Sequence, residues 1–180
     1  LNWLKLLDRI GATSTRANLE TLVHLQRQAL LALLFENLDI HLARVIRLDH
    51  DSLYRKIVAG DRGGFCYELN ECFYQCLAAM GYMVERLEAR VELGGPGDAF
   101  DHQCSLVHLD GARWLADIGF GDSSASPSCW QSQANRMRAR HRTLTCCASS
   151  RAATKRLSPV SGSHRPYIGA PWIRRPISRR

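Results

Sequence analysis

Beyond residue 122 the chain has no acidic residue at all. All 17 Asp and Glu lie in residues 1–122, where 12 basic residues leave a balance of −5, while residues 123–180 carry the other 12 basic residues alone. The formal net charge of +7 is thus an average over two unlike pieces and does not by itself point to an acidic partner. Also missing is any apolar run near the roughly 18 residues that a membrane helix requires. The best stretch, Ala29 to Phe35, is bounded by Gln28 and Glu36, so no membrane span is expected. The start, Leu1-Asn2-Trp3, lacks the basic segment and small-residue cleavage site of a secretory leader. Seven cysteines are an odd number, without the paired spacing of a zinc site or the regularity of a disulfide framework. Reduced thiols in a cytoplasm, with no bound metal, are the expectation.

What is present is enough apolar residue, 46%, for a packed core in one domain or two small ones. Leu19, Leu22, Val23, Leu25, Ala29, Leu30, Leu33 and Leu34 recur at helical spacing behind Asn18, a natural N-cap, which predicts a helix over 18–35. A second helix is expected after Asp49 or Asp51, with Leu53, Tyr54, Ile57 and Val58 as its apolar face and Gly60 as its stop. A third follows Gly63-Gly64, with Leu69, Cys72, Phe73, Cys76, Leu77 and Met80 in a stripe ending at Gly81. The period then changes to 2, with Met83, Leu87, Ala89, Val91 and Leu93 alternating with charged residues as in a half-buried strand. After the turn-rich residues 94–98, two strands over 102–109 and 112–120 flank Asp110-Gly111, a type I′ hairpin signal. Helices followed by antiparallel strands predict an α+β fold.

Cys66 follows two glycines and opens a helix, where the helix dipole and the N–H groups of the first turn stabilise a thiolate. Cys72 and Cys76 fit the apolar stripe as core residues. A thiolate nucleophile needs a base, and the base an orienting acceptor. If Asp110-Gly111 is a two-residue turn, cross-strand partners sum to 221, so His102 opposes Gly119 and Asp117 lies two residues further along the same face. Such diagonal neighbours are roughly 7–8 Å apart, within reach for an imidazole and a carboxylate. His108 is demoted by the same rule, since its partner is Arg113.

The run Arg62-Gly63-Gly64-Phe65-Cys66-Tyr67-Glu68-Leu69-Asn70 resembles the active-site signature of the arylamine N-acetyltransferases. Phe35-Glu36-Asn37-Leu38-Asp39-Ile40 upstream, then His102, then Asp117-Ile118-Gly119-Phe120-Gly121 match in the family's order, over roughly residues 1–122. The resemblance implies a helical bundle in 1–82 that carries the nucleophile and an incomplete antiparallel β-barrel in 83–122, with a cysteine-proteinase-like triad of Cys66, His102 and Asp117. It further implies acetyl-CoA as co-substrate and an arylamine, arylhydrazine or heterocyclic amine as acceptor, in a ping-pong cycle. Glu36 and Arg62 are expected to brace the catalytic loop, Phe35 and Phe120 to line the acceptor pocket, and Gly121 to contact the cofactor. Family members are considerably longer, so weak or absent activity is expected. A transglutaminase-like or papain-like thiol hydrolase shares the Cys, His, Asp/Asn order and is the rival enzyme reading.

Residues 123–180 hold 11 Arg, 11 Ser and five of the six prolines, with no clear period. Three readings compete: a nucleic-acid or acidic-membrane tether with Trp130, Tyr167 and Trp172 available to stack on bases, a solvated disordered tail, or a reading frame lost near residue 122. Only the first makes nucleic acid a partner. On the third, about three barrel strands survive and leave an open sheet edge.

Overall fold

The computed structural model describes residues 3–92, 100–120, 125–129, 144–147 and 154–159. The elements in order are α1 (Leu4–Ile10), α2 (Leu19–Ala32), α3 (Leu38–His41), α4 (His50–Leu53) running into a π-helical turn (Tyr54–Ala59), and α5 (Cys66–Ala79). Strands β1 (Met83–Glu92), β2 (His102–Leu109), β3 (Ala112–Ala116), β4 (Ser128–Cys129), β5 (Leu144–Cys147) and β6 (Thr154–Pro159) follow.

The start signals act as expected. The Asn18 side chain accepts the Thr21 N–H at 2.8 Å, and Asp49 accepts the Ser52 N–H at 3.0 Å, so each satisfies a first-turn donor. Helix α2 stops three residues before the predicted end, because Leu33 is extended and residues 34–36 leave to pair with the loop before Cys66. Buried Leu22, Leu25, Leu53, Ile57, Leu69, Phe73 and Leu77 form the helical core. Val107 and Ala116 join it from the sheet and Ile118 from the segment after β3, so α5 lies between the helices and one sheet face.

The hairpin has the predicted register. Ser105 opposes Ala116 and His108 opposes Arg113, and both turn residues have positive φ, Asp110 at 51° and Gly111 at 74°, as a type I′ turn requires. The ladder ends at Ala116, four residues short of the predicted 120, so the expected His102–Gly119 pair does not form: His102 pairs with Ala89 of β1, and residues 117–120 turn back towards α5. Leu87, Ala89, Cys104, Leu106 and Leu115 make a second core on the sheet face away from α5. Met83 departs from the expected alternation, being 70% exposed at the start of β1.

The sheet is open, antiparallel and six-stranded, in the order β4-β3-β2-β1-β6-β5. This corrects the expectation of about three strands, though the sheet stays open: β6 pairs with β1 from Leu87↔Pro159 to Glu92↔Thr154, and β4 lies on β3. Three strands therefore come from the segment whose composition carries no strand signal. Residues 93–98, Trp130, Tyr167 and Trp172 lie outside the described residues.

Candidate active site

Helix α5 presents Cys66 at its first position, half-buried, and Asn70, Phe73 and Leu77 continue the face that meets the sheet. The approach to Cys66 is built from backbone. Glu36 N–H donates to Gly64 O at 2.9 Å and Gly64 N–H to Leu34 O at 3.1 Å, joining the loop to the segment after α2. A Cβ at Gly63 would lie 1.8 Å from the Leu34 carbonyl oxygen, which makes glycine obligatory there. From α1, Arg9 pairs with Asp61 at 3.0 Å and donates to the Arg62 carbonyl at 2.9 Å.

Under this loop lies a buried charge network. Arg62 binds Glu36 at 2.7 Å, the predicted brace, and Asp39 at 3.1 Å. Lys56 reaches Asp39 and Glu68 at 2.8 Å each. Glu68 accepts the Phe65 N–H at 3.2 Å, the arrangement of an N3 residue reaching back to the helix start. Burial works against ionisation of Asp39 but is outweighed by hydrogen bonds from Lys56 and Arg62, so its carboxyl lies below the usual range. Burial pushes Glu68 up, and Lys56 offsets this only in part. Burial also opposes the charge on Lys56, yet Asp39 and Glu68 hold its pKa above the ordinary lysine value.

Across the cleft, His102 Nε2 and Asp117 Oδ2 are 2.8 Å apart, and the imidazole is 1% exposed. The carboxylate is itself fixed, with Oδ1 accepting from Asn70 Nδ2 and from Gly119 N–H, both at 3.0 Å. Asn70 ties the two halves together: its amide also donates to Gln103 O at 2.6 Å and accepts from Ile118 N–H at 2.9 Å. Gln26 Oε1 of α2 accepts the Asp117 N–H at 3.3 Å. Because Asp117 is an acceptor, Nε2 carries the proton in the neutral imidazole and Nδ1 keeps the lone pair.

Cys66 meets this half directly. Its Sγ lies 3.9 Å from the carbonyl of Asp101, the residue before His102, and a Cβ at Gly119 would fall 2.8 Å from Cys66 Cα. Tyr67 OH donates to Phe100 O at 2.6 Å and pins the same strand entry. A half-buried thiol at the start of α5 thus lies against the strand entry that leads into a buried imidazole bonded to an anchored carboxylate. By contrast, burial pushes the Cys76 thiol up to about 12 and Cys72 higher still, as inert core thiols require.

Phe120 stands edge-on to His102 with ring centroids 5.4 Å apart. Phe35 is 50% exposed, and its backbone bridges to Gly64 of the loop. Gly121 lies outside the described residues. Four contributors escaped the sequence reading: Lys56, Asp39, Glu68 and Asn70. Glu68 had a signal in its N3 position, and Asn70 in being a poor helix former on the stripe side of α5. Lys56 had none, since its partners are distant in sequence, and Asp39 stood only inside the matched run Phe35–Ile40, with no role assigned to it.

The sequence profile of the N-acetyltransferase family matches residues 18–157, well past the compositional break at 122. Over 106 residues the chain is 40% identical to an arylamine N-acetyltransferase of Escherichia coli, covering 58% of this chain and 38% of that protein. It is 38% identical over 120 residues to proansamycin X synthase of Amycolatopsis mediterranei, covering 63% and 46%. In fold it is similar to the Mycobacterium marinum arylamine N-acetyltransferase solved in complex with CoA, at 27% identity and a TM-score of 0.78, over 90% of this chain and 67% of that one. The chain spans less than half the length of these two curated relatives.

Proposed function

Since the chain belongs to the arylamine N-acetyltransferase family, we propose that it moves an acetyl group from acetyl-CoA to an arylamine or arylhydrazine through an acetyl-Cys66 intermediate. The observation that supports this most is the 2.8 Å contact between buried His102 and Asp117, on a strand entry that touches Cys66.

The steps follow from the groups. His102 Nδ1 takes the Cys66 proton, and Asp117 stabilises the imidazolium that forms. The Cys66 sulfur attacks the thioester carbonyl, and the oxyanion develops near the first-turn N–H groups of α5. Collapse expels the coenzyme thiolate, which receives the proton from His102. The amine nitrogen then attacks the acetyl carbon and passes its proton to His102, and Cys66 leaves as thiolate. The cycle needs a reduced Cys66, which suits a reducing, cytoplasmic compartment.

Two donors separate chemistry from coenzyme binding. 4-Nitrophenyl acetate is expected to acetylate Cys66, read by peptide mass spectrometry, with the acetyl group lost on adding an arylamine. Acetyl-CoA is expected to do the same. No acetyl-Cys66 from either donor, or labelling that survives Cys66→Ser, would overturn the assignment.

A further inference from the structure

Lys56 is a buried cation for which the acyl-transfer cycle has no task. Its side chain is 13% exposed, and three carboxylates surround the ammonium: Glu68 with both oxygens at 2.8 Å, Asp39 at 2.8 Å and Glu36 at 3.6 Å. It projects from the π-helical turn Tyr54–Ala59, a distortion that frequently marks functional sites. Its own carbonyl accepts the Arg62 N–H at 3.2 Å, so the residue holds the loop before Cys66 by main chain as well as by side chain. Glu68, two residues after Cys66, passes the connection on to the Phe65 N–H.

We propose that Lys56 is a positioning residue for the nucleophile, cancelling the charge of Glu68 while holding it against the Phe65 N–H at the start of α5. A carboxylate in the first turn of the helix that carries a thiolate raises the cost of forming that thiolate unless a cation neutralises it. Without Lys56, Glu36, Asp39 and Glu68 would share Arg62 and the largely exposed Arg44. Glu68 contacts neither arginine in the described contacts, so it is the carboxylate left uncompensated. The titratable residues placed next to Cys66 are Asp101, whose carbonyl the thiol meets, His102 directly after it, Asp117 bonded to His102, and Tyr67, the next residue on α5.

The inference rests on Cys66 being the nucleophile, and the test separates the two. The rate of Cys66 alkylation by iodoacetamide is followed against pH by peptide mass spectrometry on the full chain, for the parent, Lys56→Met, Lys56→Arg and Glu68→Gln. Lys56→Met is expected to raise the pH midpoint by about one unit, a roughly tenfold slower reaction below it. Lys56→Arg should stay near the parent. Glu68→Gln keeps the ammonium and should lower the midpoint, which decides the matter even where Lys56→Met does not fold. Midpoints that stay put while melting temperatures fall would make Lys56 a structural brace only and overturn the proposal. A parent Cys66 titrating as an ordinary thiol, near about 8.5, would instead remove the nucleophile premise.

Discussion

Replacing Asn70 by alanine takes three hydrogen bonds from a side chain with no solvent exposure. Asp117 Oδ1 keeps the Gly119 N–H, but the Gln103 carbonyl and the Ile118 N–H each lose their Asn70 partner inside the protein. At about 1–3 kcal/mol for each buried group left unsatisfied, the expected loss is about 2–6 kcal/mol, a large share of an ordinary domain's stability. Urea denaturation followed by tryptophan fluorescence measures it. Asn70→Asp sharpens the test, because shape is kept while a donor becomes an acceptor, 3.0 Å from Asp117 Oδ1 and 2.6 Å from Gln103 O. Two carboxylates that close cannot both ionise, so the folded variant binds a proton that the unfolded chain releases in the ordinary carboxylate range. Stability then falls as pH rises through that interval, and the deficit against the parent grows with pH, whereas the alanine deficit stays flat. An Asn70→Ala variant within about 0.5 kcal/mol of the parent would refute the argument. So would an Asp variant whose deficit does not change with pH.

Gly119→Ala puts its Cβ within 2.9 Å of the Cα and carbonyl oxygen of Cys66, neither of which has room to yield. It should cost about 1–3 kcal/mol and slow acetylation of Cys66 by 4-nitrophenyl acetate by about a hundredfold, since the loop carrying Asp117 is displaced. Arg86→Met strips Glu71, 3% exposed, of its two bonds at 2.6 and 2.7 Å, leaving only Gln75 and Gln103 as donors. About 3 kcal/mol should be lost, and the double variant with Glu71→Gln should recover part of it; no recovery would point to the Arg86 stacking on Tyr74 at 3.6 Å instead. For Asp39, whose folded pKa is lowered, the stabilisation is fully present above the ordinary carboxylate range and lost as pH falls through the lower folded value. Asp39→Asn should therefore flatten the acid limb of a stability-against-pH series, and an unchanged limb would count against the network.

The parts of the fold legible in the sequence are those decided within a few residues. Asn18 and Asp49 cap because a short acceptor precedes an apolar period, and Asp110-Gly111 turns because both positions tolerate positive φ. From that turn alone the pairing sum of 221 follows for Ser105–Leu109 with Ala112–Ala116, but Asp117 lies past the end of that ladder and reaches His102 from the segment that turns back towards α5. The charge network resisted prediction for the opposite reason. Lys56 meets Asp39 and Glu36 across seventeen and twenty residues, and a lysine beside Ile57 on a helix looks like a solvated side chain until the fold brings three carboxylates around it.

The late strands show a second limit. Charge and apolar period describe side chains, whereas a strand joins a sheet edge through main-chain N–H and C=O groups that every residue except proline offers in full. Strand β1 offers such an edge along Leu87–Glu92, and β6 takes it over six residue pairs although its segment has no acid and no clear alternation. A compositional boundary at residue 122 and a hydrogen-bonded sheet that crosses it are therefore compatible. Composition there reports how the segment's side chains differ from the rest, while the pairing follows from the unsatisfied edge that β1 would otherwise present.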